Sequence, residues 1–374
     1  MTLLAAITRY ARSTLLRPEL LFIFILCLIL WLFASLRSDN WFFGRLGFVF
    51  TSKDVSENHP RRRFSGLNNG PGPPKLKFQP GKDYDDIDGE EKFSDNLTND
   101  EPEIYWHKED NMAVYGIQGR RPTMEDRYQY KKSQDGTVQV YGIFDGHGGS
   151  AASQYTREHL LDTILDRVAN EKDLSKIDFP LLLKEEILSH DKRFLALARE
   201  NTDVSGSTCV VALLHGDKLY VANVGDSRAV MKEKSGSTFP LSLDHKPNLP
   251  EEQKRIEKAG GYIAFFGVWR VVGILATSRA IGDLPLKDAN VINAEADVVT
   301  VNLREKEAEF MIIATDGLWD VISNEEATEF ISDKLKEQFL GSKQLVIQAF
   351  LRGSMDNISV MVVKLDGTEE ESRN

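Results

Sequence analysis

Cysteine is scarce in this 374-residue chain, which has only Cys27 and Cys209. Cys27 lies in a long apolar run and Cys209 in a strand-like segment, so we do not expect them to pair. A disulfide scaffold is therefore excluded and a reducing compartment is favoured. The sequence has no CxxC motif and no histidine-rich cluster, so a structural zinc site is not indicated. It also lacks the phosphate-binding P-loop motif, which ranks a nucleotide-binding ATPase last among the candidate functions.

Positive charge is in deficit, because 46 Lys and Arg residues stand against 57 Asp and Glu residues. This balance argues against nonspecific nucleic-acid binding, which needs a basic surface. Part of the acidic excess lies in residues 83–91 and 369–371, outside the segments with regular apolar spacing. Internal repeats are absent, and 41% hydrophobic residues with 28% charged residues are typical of a globular protein that can bury a core.

One long uncharged apolar run lies near the N-terminus, at residues 20–36. At 1.5 Å per residue a helix there spans roughly 25 Å, the short end for a bilayer core. Arg17 and Arg37 flank the run, and Trp41 could lie at an interface. A cleaved signal peptide is the alternative, but the run is long for one and no clear small-residue cleavage site follows. We therefore predict a single-pass membrane anchor in residues 1–37. Its short span favours a thinner bilayer such as the endoplasmic reticulum without identifying the membrane.

The side of the membrane is not settled by charge, since arginines flank both ends of the run. However, Asn357-Ile358-Ser359 is a glycosylation sequon, and a glycan there would obstruct any site that uses the neighbouring Asp356. We therefore expect the main domain to be cytosolic. Residues 38–104 have little periodicity and predict a flexible linker, whose basic Arg61–Arg63 would either contact anionic lipid or be simply solvated. Residues 105–366 are predicted to form the main folded domain and residues 367–374 a disordered tail.

Short runs rich in Val, Ile and Tyr predict strands throughout that domain. They are residues 112–117, 138–144, 208–214, 219–224, 229–232, 310–314 and 358–363. Apolar spacing predicts helices over 150–168 and 181–198, a capping box predicts another after Ser323, and Pro250 and Gly260 frame a short one. Strict alternation of strand and helix is absent. The pattern therefore predicts an α+β fold, a β-sandwich of two antiparallel sheets flanked by α-helices.

The most informative stretch is Phe144–Gly149, which reads FDGHGG and follows an apolar run. The Asp145 carboxylate at a strand end can bind a hard cation, and His147 can move a proton near neutral pH. Asp316 ends a second apolar run and is likewise followed by glycine. Strand ends gather in a compact sheet protein, and gathered carboxylates need countercharge, which divalent cations supply. Two such ions would clamp a water molecule and a phosphoryl group.

Further motifs accompany this turn in a fixed order between about Tyr105 and Leu365, and together they resemble the metal-dependent protein serine/threonine phosphatases of the 2C family. The hydrophobic N-terminal segment is similar to that of the membrane-anchored epsilon branch of the family. The matching residues are Gly119–Asp126 (GRRPTMED), Phe144–Gly149, Gly206–Thr208, Ala222–Arg228 (ANVGDSR), Asp244–Pro247 (DHKP), Ser278–Asp283 (SRAIGD), Ala314–Asp320 (ATDGLWD) and Asp356-Asn357.

The resemblance implies a binuclear Mg²⁺ or Mn²⁺ site in a cleft at one end of the sandwich. Asp145 would bridge the two ions and Gly146 would offer its carbonyl to one of them. Asp316 and Asp356 would hold the other ion. The two remaining acidic residues of this set, which would act mainly through bound waters, are Glu125 and Asp126.

The resemblance also implies the roles of two further side chains. Arg121 would bind the substrate phosphate, for which a planar guanidinium is suited. His147 would protonate the departing serine or threonine oxygen, while a metal-bridging water attacks phosphorus. The alternatives are a structural salt bridge from Arg121 to Glu125 or Asp126, and a turn histidine bonded to backbone. Substrates would be phosphoproteins, with kinases of a signalling pathway as partners, lipid would meet only the anchor, and the catalytic domain would be monomeric and bind no nucleic acid.

Asp226 has two open interpretations: a ligand of a third, weaker metal, or a tight turn in which Arg228 pairs with Asp226. Asp283 and Asp320 are expected either to support the residues of the site without binding metal themselves or to be structural, and Trp319 is expected to lie in the core. One residue departs from the family, which often has Arg-Val-Asn-Gly where Val272 replaces the Asn. This change concerns the flap beside the cleft and substrate choice. A noncatalytic phosphoprotein-binding module is the competing class of function, and the complete set of carboxylates disfavours it.

Overall fold

The computed structural model describes residues 103–365, and no helix in that range is long and apolar enough to cross a membrane. The anchor predicted at 20–36 lies outside the described residues, as do nearly all of the linker and the predicted tail. The predictions for these three segments therefore stay predictions.

Two antiparallel sheets form the centre of the domain. Sheet A contains, in spatial order, β1 (Ile104–Lys108), β2 (Met112–Ile117), β16 (Ile358–Lys364), β15 (Ala308–Ala314), β9 (Arg228–Glu233) and β10 (Thr238–Pro240). Sheet B contains β14 (Asp297–Asn302), β8 (Lys218–Val224), β7 (Cys209–His215), β4 (Val138–Phe144) and β3 (Arg127–Lys132). The predicted sandwich of antiparallel sheets is thereby confirmed.

Side chains alternate across the central strands and so serve two cores. In β15, Met311 and Ile313 pack between the two sheets, whereas Phe310 and Ile312 pack on the outer face of sheet A. The strands β4, β7 and β16 alternate in the same way. Because these strands are buried on both faces, their sequences are nearly continuous apolar runs.

Helices cover the outer face of each sheet. On sheet B lie α1 (Ala151–Ala169) and α2 (Phe179–Asn201), and on sheet A lie α5 (Asp316–Trp319), α6 (Asn324–Ser332) and α7 (Ser342–Leu351). The capping box predicted at the start of α6 is present, since Ser323 accepts the Glu326 N–H and Glu326 accepts the Ser323 N–H. Cys209 of β7 is buried beneath α1 and α2 and forms no disulfide.

Smaller elements surround one end of the sandwich. A three-stranded sheet consists, in spatial order, of β13 (Ile281–Gly282), β6 (Gly206–Ser207) and β5 (Gly146–His147), and a separate hairpin consists of β11 (Ile263–Phe266) and β12 (Val268–Val271). The short helices α3 (Pro250–Lys258) and α4 (Leu284–Asp288) accompany them. The three-stranded sheet carries His147 and the residue before Asp283, so it connects two of the motifs.

Candidate metal and phosphate site

Aspartates at strand ends form the first part of the candidate site. Asp145 follows β4, and Thr208 fixes its backbone by donating its N–H to the Asp145 carbonyl (2.9 Å) and accepting the Asp145 N–H at Oγ1 (3.0 Å). Asp316 follows β15 as the first residue of α5, and Asp356 lies just before β16. Because β15 and β16 are antiparallel neighbours, the end of one and the start of the other lie together, and Asp316 and Asp356 stand at the same end of these strands.

Two glycines let neighbouring segments of the site approach one another closely. A Cβ atom on Gly317 would overlap the Asn357 carbonyl, and one on Gly119 would overlap the Asp356 carbonyl. Gly119 also has a positive φ of 65°, which other residues rarely adopt. The loop at Gly119 and the start of α5 therefore both touch the turn at Asp356 and Asn357, an arrangement that a larger residue at either glycine would prevent.

Burial and mutual repulsion act together on the carboxyl groups. The pKa of Asp145 is raised well above its ordinary value by burial first, and then by the negative charges of Asp126, Asp316 and Asp356. Burial also raises the pKa of Asp316 strongly, and repulsion from Asp226 and Asp356 adds to it. The structure therefore places these aspartates close enough to oppose one another's ionisation.

The adjacent acidic residues Glu125 and Asp126 have different surroundings. Asp126 is buried, and its carboxylate accepts hydrogen bonds from Ser359 Oγ (2.5 Å) and Thr315 Oγ1 (3.0 Å). Burial outweighs these bonds and raises its pKa to about 7. Glu125 is only partly buried, and its carboxylate accepts the Gly149 N–H at 3.4 Å. Asp126 is thus held within the sandwich, while Glu125 faces the loop that follows Asp145.

Arg121 contacts the aspartate cluster directly. Its Nη2 donates to Asp356 Oδ2 at 2.5 Å, and 54% of its side chain is exposed. The partner is Asp356, so the expected alternative, a structural salt bridge to Glu125 or Asp126, is wrong. The neighbouring Arg120 instead donates to the backbone carbonyls of Ser354 and Phe350. This difference leaves Arg121 as the arginine that lies at the carboxylates.

Asp226 is buried and forms an ion pair with Lys246, whose Nζ lies 2.6 Å from Asp226 Oδ2. Arg228 pairs instead with Asp244, at 2.7 Å. The alternative in which Arg228 pairs with Asp226 is therefore wrong, because the Arg228 guanidinium donates to both carboxylate oxygens of Asp244 and to Asn324 Oδ1. Asp226 nevertheless belongs to the cluster, since its negative charge adds to the effect of burial in raising the pKa values of Asp145 and Asp316.

His147 is the second residue of β5, beside the predicted backbone ligand Gly146. Its Nε2 lies 2.7 Å from Asp283 Oδ2. Burial lowers the pKa of His147, but the hydrogen bond and the charge of Asp283 raise it more, so the net shift is upward. The alternative of a turn histidine bonded to backbone is not what the structure shows, because the partner of His147 is a carboxylate.

The donor chemistry of the cluster fits a hard divalent cation, since its donors are carboxylate oxygens that are buried and repel one another. Within residues 103–365, no three or more His, Cys, Asp or Glu side chains are arranged so that together they could coordinate a metal ion. Two of the carboxylates, Asp356 and Asp226, are bound by Arg121 and Lys246. A divalent ion at the Oδ2 atom of either carboxylate would therefore have to replace a basic side chain.

Comparison with known proteins decides the family. The sequence profile of "Protein phosphatase 2C" matches residues 111–358. The chain belongs to the protein phosphatase 2C family. It is 40% identical over 380 residues to protein phosphatase 1L of Bos taurus, covering 99% of both chains, and 41% identical over 272 residues to probable protein phosphatase 2C 76 of Arabidopsis thaliana, covering 71% of this chain and 62% of that one. The solved serine-threonine phosphatase 2C from Toxoplasma gondii has a TM-score of 0.61 and 25% identity, covering 70% of this chain and 99% of that one.

Membership of the protein phosphatase 2C family confirms the predicted enzyme class, a metal-dependent protein serine/threonine phosphatase. Metal dependence is general to this family. The similarity to protein phosphatase 1L also confirms the resemblance to the epsilon, or 1-like, branch.

Three residues of this phosphatase domain make contacts that sequence reasoning did not foresee. Lys246 binds Asp226, Asp283 binds His147, and Asn357 holds the loop that carries Glu125. All three lie within the quoted motifs, which is the only signal the sequence offers for them. Their partners are distant along the chain, so no local pattern identifies them.

The departure at Val272 also has a structural consequence. Val272 has a positive φ of 45°, a left-handed conformation in which a β-branched side chain is strained. Its N–H donates to the Tyr262 carbonyl at 2.8 Å, and the Tyr262 hydroxyl donates to the Val272 carbonyl at 3.1 Å. The Asn that the phosphatase 2C family often has here would tolerate this conformation better. The substitution thus affects the turn after the β11–β12 hairpin and none of the clustered carboxylates.

Proposed function

We propose that this phosphatase hydrolyses phosphoserine and phosphothreonine in proteins at a binuclear Mg²⁺ or Mn²⁺ site formed by the clustered aspartates. The observation that carries the proposal is the mutual repulsion of Asp145, Asp316 and Asp356 beside an exposed arginine and a carboxylate-bound histidine. A noncatalytic binding module would not need to gather buried like charges, which oppose folding unless cations balance them.

The residues would divide the work of binding the metal ions. Asp145 and the Gly146 carbonyl would serve one ion, and Asp145, Asp316 and Asp356 the other. Glu125 and Asp126 would bind through water, and Asp226 would hold a third, weaker ion. When bound, such ions lower the pKa of water toward neutrality and offset the charge of the phosphoryl group.

Arg121 and His147 would handle the substrate. Once released from Asp356, Arg121 could present its planar fork to the phosphate oxygens, and its exposure leaves it accessible. His147 would donate a proton to the serine or threonine oxygen as the P–O bond breaks. A protonated leaving oxygen departs more readily, an effect of roughly a hundredfold or more.

The test uses Asp316→Asn, which keeps the shape of the side chain and removes its charge. Wild-type protein should turn over a phosphothreonine peptide with Mn²⁺ and lose that activity on chelation, and Asp316→Asn should lose nearly all activity in saturating Mn²⁺. Calorimetric titration should show fewer or weaker Mn²⁺ sites in the variant. The matched control is Asp162→Asn, which removes a half-exposed carboxylate of α1 that pairs with Lys131 of β3, and should keep both activity and Mn²⁺ binding. Full activity of Asp316→Asn would refute the assignment of that ligand.

We further propose that residues 20–36 anchor the enzyme in a membrane with the phosphatase domain in the cytosol. The alignment with protein phosphatase 1L covers 99% of this chain and so includes the N-terminal segment. The sequon residue Asn357 is 4% exposed, and its Nδ2 donates to the carbonyls of Gln118 (2.7 Å) and Thr123 (2.9 Å). A glycan on that nitrogen would break both hydrogen bonds. This supports the cytosolic side of the membrane, where no glycan is added.

Fractionation tests the anchor. The full chain should stay with membranes in alkaline carbonate, and a variant lacking residues 20–36 should be released. In sealed vesicles the phosphatase domain should be digested by added protease and should carry no glycan at Asn357. Carbonate release of the full chain would contradict the anchor, and protection from protease would contradict the orientation.

A further inference from the structure

His147 shares a hydrogen bond with the carboxylate of Asp283. The Nε2 and Oδ2 atoms lie 2.7 Å apart, and the side chains are 28% and 9% exposed, respectively. We propose that Asp283 is a positioning residue that holds the His147 ring for proton donation to the leaving oxygen. This inference rests on the proposed function, in which His147 is the acid.

The three-stranded sheet sets this pair in register. His147 in β5 and Gly282 in β13 both pair with Gly206 in the central strand β6. Asp283 follows Gly282 directly, and its N–H donates to the Ser205 carbonyl at 2.9 Å. The two side chains therefore approach from opposite neighbours of one short strand.

Gly206 leaves the space in which the two side chains meet. A Cβ atom at this position would overlap both Asp283 Oδ2 and His147 Nε2. Any larger residue at 206 would therefore separate the carboxylate from the ring. The central strand is thus compatible with the hydrogen bond only because it carries no side chain there.

The backbone of Asp283 is held in a left-handed conformation, with φ 53° and ψ 50°. This conformation is uncommon for a residue other than glycine, so the surrounding contacts must maintain it. Buried Asp191 of α2 accepts the Gly282 N–H (2.8 Å) and the Lys287 ammonium (2.6 Å), which fixes the turn on both sides of Asp283. The position of the carboxylate is therefore determined by elements outside the three-stranded sheet as well.

An ordinary structural role for the carboxylate is available but is not used. Asp283 precedes α4, where an aspartate side chain commonly accepts a backbone N–H of the first turn. It makes no such capping bond. With Nε2 engaged by Asp283, Nδ1 is the ring nitrogen that could deliver a proton to the substrate oxygen, and the ring cannot rotate without breaking the hydrogen bond.

The test removes the carboxylate without straining the backbone. Asp283→Gly fits the left-handed conformation and deletes the hydrogen bond, whereas Asp283→Asn also tolerates that conformation and keeps an oxygen that can accept the Nε2 proton. Asn290→Gly is the control, because Asn290 is exposed and also left-handed, with φ 55°. Each full-length variant is assayed with a phosphothreonine peptide and with p-nitrophenyl phosphate, in wild-type and His147→Ala backgrounds.

We expect Asp283→Gly to lower kcat/KM for the peptide by about tenfold or more and for the aryl phosphate by less than about twofold, because nitrophenolate departs without an acid. Asp283→Asn should recover most of the peptide activity, Asn290→Gly should match wild type, and Asp283→Gly should have no added effect in His147→Ala. Equal losses on both substrates, an added loss in the His147→Ala background, or an unchanged peptide rate would overturn the positioning role. Equal losses on both substrates in His147→Ala itself would instead refute the acid role within the proposed function, and the positioning role with it.

Discussion

Asn357 joins the start of β16 to the loop that carries Arg121. Its Nδ2 donates to the carbonyls of Gln118 (2.7 Å) and Thr123 (2.9 Å), and its Oδ1 accepts the Glu125 N–H (2.8 Å). Only 4% of the residue is exposed, so water cannot readily replace these bonds. Asn357→Ala would therefore remove three hydrogen bonds and leave their backbone partners without them.

At about 1 kcal/mol for each hydrogen bond, Asn357→Ala should lower the free energy of unfolding by about 3 kcal/mol. It should also lower kcat/KM for a phosphothreonine peptide by about tenfold or more, since the loop with Arg121 and Glu125 is no longer held against the aspartates. Urea unfolding with an unchanged m value measures the first effect. Peptide turnover in saturating Mn²⁺ measures the second.

Asn302→Ala is the matched control for this prediction. Asn302 also makes three side-chain hydrogen bonds, to the Arg304 and Glu305 N–H groups and to the Glu305 carboxylate, but in an exposed turn. Water can replace them there, so the loss of stability should stay below about 1 kcal/mol. The reasoning would be refuted if Asn357→Ala were no more damaging than Asn302→Ala, or if it left peptide turnover unchanged.

Three further predictions concern stability. Burial lowers the pKa of His190 to about 3, whereas a histidine in the unfolded chain titrates near 6.5. Between these pH values the unfolded chain binds more protons than the folded one. The stability that is present above pH 6.5 should therefore fall by about 2 kcal/mol at pH 5. His190→Gln should lose this component in urea unfolding at pH 7 and pH 5, and an equal drop in both proteins would count against it. Lys246→Met leaves the buried Asp226 unpaired, so it should lower the free energy of unfolding by about 2 kcal/mol in the presence of a chelator. In Mn²⁺ most of this stability should return. Metal binding at Asp226 would be contradicted if the difference in melting temperature between variant and wild type were the same with and without Mn²⁺. Val272→Asn should stabilise the domain by about 1 kcal/mol, because Asn tolerates φ 45° better than Val, and a lower melting temperature would show that lost packing dominates.

The central strands could be predicted from the sequence, and the edge strands could not. All of β2, β16, β15 and β9 in sheet A, and β8, β7 and β4 in sheet B, were predicted to within two residues. They lie between neighbours and are buried on two faces, so most of them are nearly continuous apolar runs. The edge strands β1, β10, β14 and β3 are more polar; β3 reads RYQYKK and has no aliphatic residue. Edge strands are recognised by their pairing, which the local sequence does not encode.

The same division holds for the candidate site. The sequence placed Asp145 and Asp316 at strand ends, because an apolar run followed by Asp-Gly marks where a buried strand stops. It could not say that Asn357 would fasten the loop before Glu125, since these residues are separated by most of the domain. The close approach depends on how sheet A pairs β16 with both β2 and β15.

By itself, the sequence determined which side chains are available and at which strand ends they stand, because burial and turn formation act over a few neighbouring residues. Only the tertiary structure decided the partners: Arg121 with Asp356, Lys246 with Asp226, and His147 with Asp283. Each pair joins residues from different segments of the chain, and a carboxylate binds whichever cation the packing of the sheets brings within a few ångströms. That distance is a property of sheet register and loop contact, which no local stretch of the chain contains.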